Sequence, residues 1–310
     1  MDDITRQALR SWEWRPDVIA PLLLFLALFS LGWWRLRRLA REPGRSRPQL
    51  AAGWRLVVYW LGVSSVALAL VSPLDVLAGQ LFFMHMIQHM FLIMLAPPLI
   101  WLTNPMPVLV WGLPMTWRRA IGRFLFQQNA PGRATLYRLT GPATSWFLFF
   151  MVLWGWHSPD AYDLTLRNPI AHNVEHLTFF AASMLTWWHI TGAGPRWHKR
   201  FGYLGRAIFA LSFVPVNMIL GVSIALAPAP IYAYYTTVPR LWGLSALTDQ
   251  QISGVIMWIP GSEMHIYAVI ILVARWLRAQ ERDVAARPAT DAPKPADDRT
   301  LTGDALNKVT

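Results

Sequence analysis

The sequence predicts an all-α, polytopic membrane protein with seven transmembrane helices, its N-terminus outside and its C-terminus cytoplasmic. Three observations carry that prediction. Of 310 residues, 55% are hydrophobic and 15% charged, against roughly a quarter charged in soluble domains. Apolar runs of about 20 residues recur, the length that a helix rising about 1.5 Å per residue needs to cross a hydrocarbon core about 30 Å thick. When the runs alternate in direction, 23 of the 28 Lys and Arg fall on one side, which marks that side as cytoplasmic. A net charge of +11 would otherwise suggest a nucleic-acid partner. Because the arginines gather at span ends, nucleic-acid binding has no support, and the surroundings of that charge are expected to be a lipid bilayer.

The runs follow in order. Residues 1–16 form a periplasmic arm of mixed charge. The first run, 18–34, ends in Arg35, Arg37 and Arg38. It lacks the basic start and small-residue cleavage site of a signal peptide, so it is expected to be retained. The second covers 54–71 and the third 81–96. Pro97 and Pro98 are expected to end or kink the third, since proline removes a donor and clashes with the preceding turn. Residues 99–113, apolar but punctuated by proline, are expected to be interfacial or half-buried. The fourth run is 143–156, the fifth 170–190, the sixth 206–227 and the seventh 252–276. Pro215 with Asn217, and Pro260 with Gly261, mark kinks in the last two, where neighbours must satisfy the freed carbonyls. Trp33, Trp34, Trp54, Trp156, Trp187, Trp188 and Trp276 sit at expected span ends, as an interfacial aromatic belt requires. The membrane domain is therefore 17–278. Beyond Arg278 the composition turns to Ala, Pro, Asp and Arg without periodicity, and 279–310 reads as a disordered cytoplasmic tail.

The chain has no cysteine, so disulfides, thiolate metal sites and CxxC redox pairs are excluded. Any soft-metal chemistry rests on His and Met. The third run opens with His85 and His89, the fifth with His172 and His176. Residues four apart share a helix face, so each helix presents a vertical pair of imidazoles. Counted from the outer ends, the first pair lies roughly 6 and 12 Å deep and the second roughly 3 and 9 Å. His157 closes the fourth run at the same surface. Five of eight histidines therefore share one outer layer.

Neutral imidazoles suit Cu, Zn, Fe or Ni, and thioethers favour Cu(I). Met84, Met86, Met90 and Met94 lie on the third run, where Met is more often core filler. Glu175 falls inside the fifth run, where a carboxylate needs a partner, and it could accept from an imidazole and orient it. Asp75, Asp160, Asp163 and Asp249 are read as outer-loop residues, there to attract a cation or simply to be solvated. Glu263 and His265 lie roughly 17–20 Å into the seventh run and read as a separate buried contact, with Asn217 as the candidate partner. His189 and His198 read as interfacial, at the cytoplasmic end.

The order of these motifs resembles a known family. His85-Met86-Ile87-Gln88-His89-Met90 is followed by Ala96-Pro97-Pro98-Leu99 and Asn104-Pro105. Then come Trp156-His157-Ser158-Pro159 with Tyr162, His172-Asn173-Val174-Glu175-His176, and Asp249-Gln250-Gln251 with Gly254 and Met257-Trp258. The pattern, over about 54–276, is similar to the polytopic CtaG family of bacterial cytochrome c oxidase assembly factors found with caa-type oxidases. The resemblance implies a role in maturing a haem-copper oxidase, delivering copper to the CuB site of the catalytic subunit, with a periplasmic copper donor as a further partner. Its functional residues carry over onto His85, His89, His157, His172 and His176, and onto Asp75 and Asp249. Met86, Met90 and Glu175 are further candidates beside the copper.

The expected function is therefore a copper chaperone rather than an enzyme, taking up Cu(I) at its outer face. No Ser/His/Asp triad, phosphate loop or H-E-x-x-H is present. A haem-binding redox protein, with one axial His from each helix, is an alternative that leaves the other imidazoles unexplained. A metal permease, the other alternative, would need polar groups across the whole bilayer.

Overall fold

The computed structural model describes residues 6, 10–40, 49–126, 133–195, 197–198 and 201–285. Among them there are helices and no strands. The helices are α1 (Pro16–Leu39), α2 (Gly53–Val71), α3 (Pro73–Ala78), α4 (Phe82–Leu102), α5 (Pro105–Gly112), α6 (Met115–Phe126) and α7 (Arg133–Leu139), then α8 (Pro142–Trp156), α9 (Pro159–Arg167), α10 (Pro169–Thr191), α11 (Tyr203–Ala225), α12 (Tyr234–Thr237) and α13 (Ala246–Ala285).

Five of these helices, α1, α2, α4, α11 and α13, are long and apolar enough to cross a membrane. The fourth and fifth expected spans form as helices but fall outside that set. α8 has 15 residues, about 22 Å at the helical rise. α10 has 23 residues, and His172, Asn173, Glu175 and His176 dilute its apolarity. α13 runs on to Ala285, and of the expected tail, residues 286–310 lie outside the described residues. Residues 1–5 and 7–9 of the expected N-terminal arm do as well.

The third run departs from expectation at its prolines. α4 passes through Pro97 and Pro98 and stops at Leu102, because Phe91–Leu95 widen into a π-helical turn before the α-helix resumes. The Ile93 carbonyl would receive its helical bond from residue 97 in α register or 98 in π register, and both are proline. Ser183 Oγ (2.5 Å) and Trp187 Nε1 (3.1 Å) of α10 donate to it instead. Trp187 is thus a buried strut, not a belt residue, and Trp188 is buried beside it. Trp101 adds a bond to the Met184 carbonyl (2.8 Å). α4 and α10 therefore run parallel, in fixed register. After α4 the chain turns at Asn104, in the left-handed region (φ 51°), into half-buried α5; of the segment 99–113 expected to be interfacial or half-buried, residues 99–102 belong to α4 instead.

The same logic operates at Pro73. It leaves the Ala69 carbonyl without a helical donor, and Gln88 Nε2 of α4 supplies one at 2.8 Å while also meeting Asp75 Oδ1 at 2.5 Å. Elsewhere, small residues let backbones meet, as in membrane helix pairs. A Cβ on Gly254 of α13 would overlap the Ala225 backbone of α11, and one on Gly112 of α5 would overlap the Leu28 carbonyl of α1.

Removing both donors to Ile93, as Ser183→Ala with Trp187→Phe, leaves a buried carbonyl unpaired, a loss of about 1–3 kcal/mol. A lowered Tm of the detergent-solubilised protein is the expected readout.

Candidate metal centre

The histidines converge at one end of the bundle because three helices bring their ends there. α4 starts at Phe82 without a capping side chain of its own. Its exposed N–H groups are taken from far along the sequence: Asp249 of α13 accepts from Phe82 N (3.0 Å) and Phe83 N (2.9 Å) and is itself held by Arg240 (2.9 Å). α10 starts with Pro169 after Asn168, whose side chain accepts from Ile170 N and Ala171 N, a cap suited to proline at the first helical position. α8 ends on His157.

The imidazoles that this arrangement gathers touch one another. Ring centroids are 4.4 Å apart for His85 and His89, 4.1 Å for His172 and His176, 5.2 Å for His85 and His172, and 5.4 Å for His89 and His176. His157 lies 6.0 Å from His89. Glu175 is central rather than peripheral. Its Oε2 stands 3.6 Å from His85 Nε2 and its Oε1 3.7 Å from His89 Nε2, and all three side chains are buried. One donor atom from each of His85, His89, Glu175 and His176 fits within 4.8 Å of the other three, and Asp75, His172 and His176 form a second such group sharing His176.

The far nitrogens fix the rings. His85 Nδ1 meets the Tyr162 hydroxyl at 2.7 Å and the Tyr235 hydroxyl at 3.4 Å, and Tyr235 donates to the Ala78 carbonyl. His157 Nδ1 donates to the Leu153 carbonyl at 2.7 Å, which leaves its Nε2 unprotonated when the ring is neutral, and Tyr232 donates to the His157 carbonyl. By contrast, Nε2 of His85, His89, His157, His172 and His176, and both Glu175 oxygens, are buried without a hydrogen-bond partner. Buried polar atoms are almost always paired. These seven unpaired atoms, with the His85 and His157 rings held at Nδ1 by hydrogen bonds, form a donor set that suits a metal ion.

The remaining candidates are placed as follows. Asp75 and Asp249 are on helices, not loops. Asp249 is spent on the α4 cap and Arg240, whereas Asp75 faces His172 and His176. Asp160 and Asp163 lie on α9, and Asp163 accepts from Tyr234 N. Met86 is in the apolar core and Met90 is half-buried against it, so the donors gathered here are imidazole and carboxylate. Glu263 is exposed, contrary to expectation, while His265 is buried between Trp187 and Phe213. Asn217 bonds the Met257 carbonyl and Ser262 rather than either of them. Three contributors had no assigned role in the sequence: Tyr162, Tyr235 and Gln88. Tyr162 and Gln88 left a trace as members of quoted motifs, and Tyr235 left none.

The chain matches the family described as cytochrome c oxidase caa3 assembly factor over residues 27–279. It belongs to that family. Among curated proteins, it is 27% identical over 279 residues to uncharacterized proteins of Mycobacterium bovis and Mycobacterium tuberculosis. It is 26% identical over 263 residues to an uncharacterized protein of Mycobacterium leprae. Those alignments cover 82–88% of this chain but only 38–40% of the relatives, so the chain spans well under half the length of the curated relatives it matches. No solved structure matches the chain.

Two substitutions separate metal-site residues from scaffold. In metal-free protein, Glu175→Gln removes a buried, unpaired carboxylate and is expected to leave Tm unchanged or raise it. Asp249→Asn strips the charge from the α4 cap and is expected to cost about 1–2 kcal/mol, seen as a lower Tm.

Proposed function

We propose that this caa3 assembly factor is a multi-pass protein of the bacterial cytoplasmic membrane that binds Cu(I) as cargo and delivers it to the CuB site of the oxidase catalytic subunit. One observation carries the reading: His85, His89, Glu175 and His176 place unpaired donor atoms within 4.8 Å of one another in a buried site. His157 and His172 stand beside them as further imidazoles along the route of the ion. Seven crossings with the N-terminus outside put this end of the bundle on the periplasmic side, where a copper donor has access. The factor is non-catalytic in this reading.

The charge balance favours a monocation. Imidazoles are neutral ligands, and ionised Glu175 contributes a single negative charge, so Cu(I) gives a neutral assembly, whereas a divalent ion leaves a net charge in an apolar interior. Imidazole is also a ligand type that copper accepts, and the absence of thiolate avoids the closed cage of a structural site. Asp75, close to His172 and His176, provides an acidic approach on the same side.

The haem alternative has one observation in its favour. A cavity of about 570 Å³ between α1, α2 and α10 is lined by a single histidine, His176. That reading leaves His85, His89 and Glu175 without a role, and it predicts a different spectrum. A permease would need polar groups to continue inward, whereas Glu263 points outward and His265 is stacked between aromatic rings.

Metal content and visible spectrum of the detergent-purified protein decide among these readings. Copper near one equivalent is expected, falling at least ten-fold in His85→Ala and His176→Ala. A strong Soret band with little copper would overturn the proposal. In cells, deletion at limiting copper is expected to lower oxidase activity more than oxidase abundance; unchanged activity would refute delivery.

A further inference from the structure

Glu263 is an acidic residue in an apolar helix whose side chain faces away from the bundle. It lies on α13, eleven residues after Ile252 and thirteen before Trp276, about 16 and 20 Å from them along the helix. If α13 crosses the bilayer, that is mid-depth. The opposite face at this level is fully engaged: Met257 and Ser262 meet Asn217, and His265 stacks on Trp187 and Phe213. Val255, Ile259, Glu263, Tyr267 and Ile271 are exposed at four-residue intervals, one ridge that runs inclined to the helix axis. No described residue gives Glu263 a hydrogen bond or ion pair. Long basic side chains can bury their stems and reach the interface, but a glutamate at this depth is too short. An intramembrane carboxylate left to face lipid is expensive and is expected to have a partner.

A second copy of this chain is the wrong partner. Copies share one orientation, so a two-fold contact along this ridge would set Glu263 against Glu263. The chain has no Lys or Arg in 207–239 or in 241–274 to answer it. We propose that the Val255–Ile259–Glu263–Tyr267 ridge docks a transmembrane helix of another protein, one that presents a basic side chain at mid-depth. The apolar residues pack against that helix, and the carboxylate selects it and sets its register. This inference requires α13 to span the membrane and is independent of the copper reading.

The test is a photo-crosslinking amino acid at Ile259 or Tyr267 of the full chain in its native membrane, with the adducts sequenced. The expected adduct is a single transmembrane segment carrying Arg or Lys at the matching depth. Glu263→Leu is expected to reduce its yield at least ten-fold with Tm unchanged. Glu263→Lys should abolish it, and exchanging the partner's basic residue for Glu should restore it. Adducts to lipid or to a second copy alone, or a yield indifferent to Glu263→Leu, would overturn the proposal. So would a Tm lowered in both Glu263→Leu and Glu263→Gln, which would place the partner of the carboxylate inside this chain.

Discussion

The Ile93 carbonyl loses its helical donor to proline, and its capture by Ser183 and Trp187 sets α4 against α10. In water such a carbonyl could be solvated; inside an apolar bundle it must find a protein donor. Satisfying it fixes both the rotation and the axial position of the two helices. His89 lies one turn before Ile93, and His176 two turns before Ser183. Locking the carbonyl therefore brings the two histidine pairs face to face. The break in the helix and the site are thus one construction, with Gln88 repeating the device at Ala69 to tie the same turn of α4 to α2.

That rigidity has a consequence for the site itself. Glu175 and the inward-facing Nε2 atoms are held where they cannot pair with one another at hydrogen-bonding distance. A flexible site would collapse into His–Glu hydrogen bonds and hide its donors. Here the Nδ1 anchors, Tyr162 on His85 and the Leu153 carbonyl on His157, hold those two rings in place, and the buried donor atoms carry the cost of lacking protein partners. Metal binding would relieve that cost. A site of neutral imidazoles and one carboxylate, without thiolate, would then hold copper firmly enough to collect it and loosely enough to surrender it.

Much of this was legible in the sequence, and the failures share a cause. The four-residue spacing of His85 and His89, and of His172 and His176, established the faces, and span polarity placed both pairs in one layer. Glu175 shares a face with His172 and His176 by the same periodicity, yet its central position depends on where α4 lies, which no local pattern encodes. Asp249 caps a helix 166–167 residues away, and Trp187 reaches 94 residues to Ile93. Spacing identifies which residues share a face but not what faces them. Pro97 and Pro98 misled for a related reason: proline predicts a broken helix only when no neighbour supplies the missing bonds. Glu263 was read as buried because a charged residue in an apolar run usually is, and a neighbour outside this chain is the case that such reasoning omits.

The two carboxylates in the membrane helices then make a contrast. Glu175 is enclosed among imidazoles of its own chain, at the polar end where helix caps and short helices concentrate. Glu263 lies on the outer ridge of its helix, away from Asn217, Ser262 and His265, and no histidine, hydroxyl or amide among the described residues bonds it. A carboxylate inside the bundle can be stabilised by a cation that enters the site. One on the outer ridge can be stabilised only by something that approaches through the bilayer. If Glu175 helps to hold cargo and Glu263 a neighbouring protein, as proposed, the two contacts are separate. Placing them on different helices, α10 and α13, allows docking and cargo binding to be altered by separate substitutions.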